Sequence, residues 1–328
     1  MTETPFFCSQ SSRQSEAEII GSASDHQVYV VVECPPPWEP YYLQSKTVPD
    51  NLRSLADEVE EEYDRLQTHF LLIYSEHFKK ENCTRLLIFQ KQSGLATAFK
   101  KLEFELASIE EVAPLVKSFL FDNSIDKTPI ENSAKDVLIC THGSRDRCCS
   151  RFGNPLYHQM LKVVADRSLD VRIWQASHIG EHRMAPTAIT FPDVRYYGYL
   201  NVDSLTSILT QTGEFQSLQS LYRGCGMLPW AVQWVERELM FQKGWEWFDC
   251  AIDGRIIEQN EDESFNRIEL IVENPEGDRQ TYTATVVLDD SKIIHLKGSC
   301  SGESASRVEQ YIVKNLALVE PVRFNASA

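Results

Sequence analysis

Two pairs of soft donors carry the chemistry legible in this chain: thiols at Cys140 and at Cys148 or Cys149, and imidazoles in His178-Ile179-Gly180-Glu181-His182. Thiolate with imidazole excludes calcium and magnesium, which take oxygen ligands, and leaves zinc, copper or an iron–sulfur cluster. A lone buried cysteine or histidine is usually structural. Four at these offsets, in loops or at strand ends, point instead to one metal centre. Arg145, Arg147, Arg151 and Arg183 flank both motifs and would favour the more negative, reduced state of such a centre, unless they only form ordinary surface ion pairs.

The motifs need a scaffold, and the surrounding pattern supplies one. A strand from Asp136 to Cys140 ends on the first cysteine, and Asn154 with Pro155 marks the start of a helix running through Val164. A strand Val171 to Trp174 follows. Cys148 and Cys149 thus fall in a βα crossing, where α/β sheets commonly place function. The histidine loop leads into a hairpin, Thr187 to Phe191 with Arg195 to Leu200, and Asp203 caps a helix ending near Gly213. Gly180 serves a turn or a close backbone approach. Pro186 stands just before a strand, where thioredoxin folds often hold a cis proline, although trans is the default for any proline.

The first half reads in the same order: strand His26 to Glu33, helix Asn51 to Thr68, strands Phe70 to Tyr74, Arg85 to Gln90 and Ala96 to Glu105, and helix Ile109 to Phe119. Leu52, Leu55, Val59 and Leu66 give the first of these helices an apolar face. The fold class expected is α/β (α+β), with two thioredoxin-like βαβ-ββα units, a C-terminal helix Pro229 to Lys243, and a small α+β appendage. That appendage comprises strands Ala251 to Glu258, Phe265 to Val272, Gln280 to Leu288 and Lys292 to Leu296, closed by a helix Glu303 to Leu316. The domains expected are 1–125 without ligands, 133–250 carrying the centre, and 251–328.

A length of 328 residues suits two to three domains. The formal charge of −16 argues against a nucleic-acid partner and fits either simple solubility or attraction to a basic redox partner. No apolar run reaches the roughly 18 residues of a membrane span, and the first residues lack a basic region followed by an apolar core, so a cytoplasmic location away from membranes is expected. Nine cysteines without a regular framework fit reduced thiols better than a disulfide scaffold.

The chain resembles the sucrase/ferredoxin-like family in its Cys-x8-Cys, Cys140 to Cys149, and its His-x3-His, His178 to His182. Shorter matches lie at Phe7 to Arg13, Asn154-Pro155-Leu156 and Tyr222-Arg223-Gly224. The resemblance implies a thioredoxin-like ferredoxin carrying a 2Fe-2S cluster on Cys140, Cys149, His178 and His182. It selects Cys149 over Cys148 by spacing, and leaves His142 as a hydrogen-bonding or turn residue. It also implies electron transfer with a redox partner protein, at a potential raised by the neutral imidazoles. The "sucrase" label gains no support, since no carboxylate pair can be placed across a sugar. Two other functions use the same residues: a structural zinc module, and a thioredoxin-like thiol oxidoreductase pairing Cys140 with Cys148 or Cys149, although the chain has no Cys-x-x-Cys. Catalysis itself is not required; an enzyme here would be an oxidoreductase.

Overall fold

The computed structural model describes residues 6–302 and 304–319. After a short helix α1 (Cys8–Gln14), the first half runs β1 (Val28–Glu33), α2 (Asp50–Glu61), α3 (Tyr63–Leu66), β2 (Thr68–Tyr74), β3 (Thr84–Gln90), β4 (Lys100–Leu106) and α4 (Val112–Phe121). The second runs β5 (Lys135–Cys140), α5 (Arg147–Arg167), β6 (Val171–Ala176), β7 (Ala188–Phe191), β8 (Arg195–Tyr197), α6 (Val202–Thr210) and β9 (Tyr222–Cys225). Both halves keep the expected order. Their strands form one mixed nine-stranded sheet in the order β4-β3-β1-β2-β6-β5-β7-β8-β9. In each half the first two strands are parallel and the remaining pairs antiparallel.

The halves meet at β2 and β6 through only two residue pairs, Ile73 with Ala176 and Tyr74 with Gln175. Ser177 extends that seam: its N–H donates to the Leu72 carbonyl at 2.8 Å and its Oγ accepts the Leu72 N–H at 3.0 Å. One face of the first half is covered by α2 and α4, with Leu52, Leu55, Ala56 and Val59 of α2 buried as their helical spacing requires. Its other face, including Tyr29, Leu87 and Phe89, shares a core with Val137, Trp174 and Phe191 of the second half. An ionic network crosses this interface. Arg172 grips Glu103 through two bonds of 2.8 Å and Asp136 through two of 2.8 and 3.0 Å; Arg85 joins Glu103 to Glu33, and Trp174 donates to Asp136.

The remainder is α7 (Trp230–Lys243), β10 (Ala251–Gln259), β11 (Phe265–Glu273), β12 (Arg279–Leu288), β13 (Ile294–Lys297), β14 (Ala305–Val308) and β15 (Tyr311–Leu318). β10, β11, β12 and β15 form an antiparallel sheet against α7, and β13 with β14 a separate ribbon. The expected closing helix is therefore corrected: Glu303 lies outside the described residues, and the rest of that segment is β14 and β15. Tyr311, Ile312 and Val313 favour a strand, and β15 covers the edge of β12. The appendage is accordingly a sheet rather than α+β.

Two helix starts also differ from expectation. Helix α5 begins at Arg147, with Pro155 inside it, because the Asp146 carboxylate caps it by accepting the Cys148 N–H at 2.8 Å. Helix α6 is capped by Asn201 in a reciprocal box with Ser204, not by Asp203.

Candidate metal centre

Cys140 is the last residue of β5, and Cys149 sits in the first turn of α5. What brings them together is Gly153. A Cβ at this position would lie 1.9 Å from the Cys140 carbonyl oxygen, so only glycine lets α5 press against the end of β5. The third group arrives from the seam: His178 follows Ser177, and its N–H donates to His142 Nδ1 at 3.2 Å. His142 in turn donates from Nε2 to the Glu39 carbonyl at 2.8 Å, which fixes it as a neutral imidazole. It holds the histidine loop by its backbone. Left-handed backbone at Gly180 (φ 82°) and Glu181 (φ 54°) then turns the chain toward His182. Since a Cβ on Gly180 would meet only Arg223 Nη2 at 3.7 Å, the turn rather than space calls for glycine there. The Ala185–Pro186 peptide that closes the loop is cis.

The Cys140 and Cys149 sulfurs lie 4.0 and 3.8 Å from His178 Nδ1, and the three donor atoms are all within 4.8 Å of one another. His182 stands beside this group, its ring centroid 5.2 Å from that of His178. Both its ring nitrogens are buried, and among the described residues neither has a partner within hydrogen-bond distance. Its Nε2 is 3.7 Å from Asp146 Oδ2. The structure thus gathers Cys140, Cys149 and His178, sets His182 at the rim, and leaves Cys148 in another group with Cys8, Cys300 and Asp146.

Electrostatics favour metal-binding forms. Burial pushes the Cys140 thiol up, but hydrogen bonds from Cys149 and His178 outweigh it and hold the thiol well below its ordinary range. Cys149 moves up, first through its bond to Cys140 and then through burial. The two thiols thus move in opposite directions, which favours the thiolate, the form that binds metal, at Cys140. Burial lowers His182, against the pull of Asp146, and keeps it neutral. Two thiols, two imidazoles and the unpartnered nitrogens of His182 fit a metal or cluster, since a buried polar atom without a partner is costly unless something binds it.

Of the flanking arginines, Arg183 pairs with Glu181 at 2.7 Å, Arg147 donates to the Cys300 carbonyl at 3.2 Å, and Arg145 lies over the Tyr41 ring. The buried cation behind the histidine loop is Arg223 instead. Its Nε and Nη2 donate to Ser22 while Nη1 has no hydrogen-bond partner among the described residues. An open cavity of about 270 Å³ reaches His178, Gly180 and Arg145 beside Tyr41 and Tyr42. The thiols are sealed and the histidines mostly buried, and the opening toward solvent lies on the imidazole side, at His178.

The sequence pattern of proteins described as sucrase/ferredoxin-like matches residues 19–224, which include all four donors. The chain belongs to the sucrase/ferredoxin-like family. Two relatives similar to this sucrase/ferredoxin-like protein bear the name Altered inheritance of mitochondria protein 32. That from Clavispora lusitaniae is 30% identical over 149 residues, covering 41% of this chain and 54% of the relative. That from Debaryomyces hansenii is 31% identical over 137 residues, covering 37% and 48%. The chain spans about half the length of these relatives. No solved structure matches it. Among the described residues no helix is long and apolar enough to cross a membrane.

Proposed function

We propose that Cys140, Cys149, His178 and His182 hold a 2Fe-2S cluster and that this sucrase/ferredoxin-like protein is an electron carrier. The observation that carries the reading is the convergence of the Cys140 and Cys149 thiols, His178 and the neighbouring His182 at one end of the sheet, in a chain of this family. A cluster of this ligation takes up and returns one electron at a potential above that of all-cysteine ferredoxins. The chain's own residues do the rest. The β5–α5 contact fixes the thiols, His142 anchors the histidine loop, and the cavity that reaches His178 offers a redox partner protein the nearest approach. The parallel first pair and antiparallel remaining pairs in each half support reading both as thioredoxin-like units, the second as the ferredoxin unit.

Burial weighs against a thiol oxidoreductase: Cys140 and Cys149 are each 1% exposed, whereas thiol exchange needs an accessible sulfur. A single zinc ion is the second reading. It is favoured by the 3.8 and 4.0 Å spacings of His178 from the thiols, which suit donors sharing one ion. Anaerobic purification with iron and acid-labile sulfide analysis decides between them. A red-brown protein with about two iron and two sulfide per chain is expected; a colourless protein with zinc at these residues would establish the second reading instead.

A further inference from the structure

We infer that Cys8, Cys148 and Cys300, with Asp146, form a second metal site that takes one Zn²⁺ ion and fastens the β13–β14 ribbon to the body of the protein. The three sulfurs make a nearly regular triangle: Cys8 to Cys148 is 3.5 Å, Cys148 to Cys300 is 3.2 Å and Cys300 to Cys8 is 3.7 Å. A tetrahedral ion with zinc–sulfur bonds near 2.3 Å holds its sulfurs about 3.8 Å apart, so the triangle is close to the base of such a site. Asp146 supplies the fourth corner. Its Oδ1 is 3.9 Å from Cys8 Sγ, and all four donor atoms fall within 4.8 Å of one another.

The carboxylate is held in place before any ion arrives. Oδ1 accepts the Cys148 N–H at 2.8 Å and Oδ2 the Cys300 N–H at 2.9 Å, leaving lone pairs on both oxygens. Asp146 is buried, and among the described residues no lysine or arginine pairs with it; the neutral His182 ring lies 3.7 Å away. A buried carboxylate facing three thiols calls for a cation. Ser9 N–H pointing at Cys148 Sγ at 3.5 Å further suits a thiolate. A set of three sulfurs and one carboxylate oxygen, closed by burial, matches a structural zinc site better than an open catalytic one.

Connectivity gives the site a purpose. The ligands come from α1, the first turn of α5 and the loop joining β13 to β14. That ribbon has two strands of four residues, mostly exposed, and an isolated pair of this size is marginal in water. Cys8 and Cys300 lie outside the residues 19–224 matched by the family pattern, whereas Asp146 and Cys148 lie within them.

The test is zinc analysis of the full chain after gel filtration with a weak chelator, in the parent, Cys8→Ser, Cys300→Ser and the Cys140→Ser/Cys149→Ser double variant. Zinc of about one per chain, additional to the metal of the first site, is expected in the parent. Cys8→Ser and Cys300→Ser should each lose it and keep the first site's metal and colour, which also report folding. The double variant should keep it, and cobalt offered in its place should give the visible bands of a tetrahedral thiolate ion. Should the first site bind zinc instead of iron, the parent carries two zinc ions and Cys300→Ser keeps one, so failure at either site is told apart. Unchanged zinc in Cys300→Ser, no zinc beyond the first site in the parent, or a disulfide among Cys8, Cys148 and Cys300 in the intact mass of alkylated parent overturns the inference. Cys300 lies in a peripheral loop, so its variant decides even if the others fail to fold.

Discussion

Cys148 and Cys149 are neighbours in the chain, yet their thiols belong to separate clusters: Cys149 Sγ is 3.8 Å from His178 Nδ1, and Cys148 Sγ is 3.2 Å from Cys300 Sγ. Successive side chains on a helix diverge by roughly 100°, so the first turn of α5 sends one sulfur to each site. Cys149→Ser is therefore expected to abolish cluster absorbance, and Cys148→Ser to leave it largely intact. Visible spectra of the two proteins check this; bleaching in Cys148→Ser with retention in Cys149→Ser would reverse the ligand assignment.

Gly153 makes a second prediction that involves no ligand. A methyl group cannot occupy a point 1.9 Å from the Cys140 carbonyl oxygen, and backbone does not yield as a flexible side chain does. Gly153→Ala is expected to push α5 off β5, separate Cys149 from Cys140 and lower metal content severalfold. Alanine favours a helix interior over glycine by about 1 kcal/mol, so a purely helical effect would stabilise. Metal content per folded chain, measured beside far-UV dichroism, separates the two; a fully loaded Gly153→Ala protein would refute the role given to the contact.

How much of this was readable beforehand depended on range in sequence. Cys140, Cys149, His178 and His182 stood out because each pair lies in one short motif, and the strand–helix order of both halves followed from local apolar patterns. Cys8 and Cys300 did not. Their partner Cys148 is 140 and 152 residues away; Cys8 falls in the short match Phe7 to Arg13, which carries no ligand spacing, and Cys300 in no motif. Asp146 drew no notice for the same reason, since a charged loop residue is usually solvated until the fold buries it, and Arg223 was marked only as part of Tyr222-Arg223-Gly224, without its place behind the histidine loop. The start of α5 was misplaced because Asn154-Pro155 is a strong local signal, while the cap at Asp146 is held by a contact to Cys300. The last strand was missed because its pairing with β12 decides between helix and strand, and pairing is not local.

Arg172 joins strands of both halves, and its removal should be felt by the whole fold. Replacement by alanine leaves Asp136, fully buried, and Glu103, 2% exposed, with less positive charge, Lys101 remaining 2.8 Å from Asp136. Breaking a buried pair by removing one partner costs about 3–5 kcal/mol. Arg172→Ala is expected to lose stability in this range, and Arg172→Lys part of it, because lysine cannot make the paired bonds to both carboxylates. Urea unfolding monitored by tryptophan fluorescence gives the values; a loss under about 1 kcal/mol would mean that the network contributes no more than surface pairs do.

His26 and His69 stack with ring centroids 4.7 Å apart at 5° and give the fold a dependence on acid. Burial lowers His26 to about 4. Burial, then the charges of His26 and His178, lowers His69 to about 3. In the unfolded chain both titrate near 6.5. Between pH 6.5 and those lower values the unfolded state binds more protons than the folded one. The stability from keeping both rings neutral is thus complete above pH 6.5 and is lost as pH falls through that window. One proton per ring corresponds to a slope of at most about 1.4 kcal/mol per pH unit, and partial exposure of both rings brings the loss from pH 7.5 to 5 to roughly 1 kcal/mol each. A His26→Gln/His69→Gln variant should lose less stability over that interval than the parent, by about 2 kcal/mol. Urea midpoints at pH 7.5 and 5 test this with the cysteines unchanged in both proteins, so their own titration cancels. Parallel pH dependence in parent and variant would show that the stacked rings are not the source.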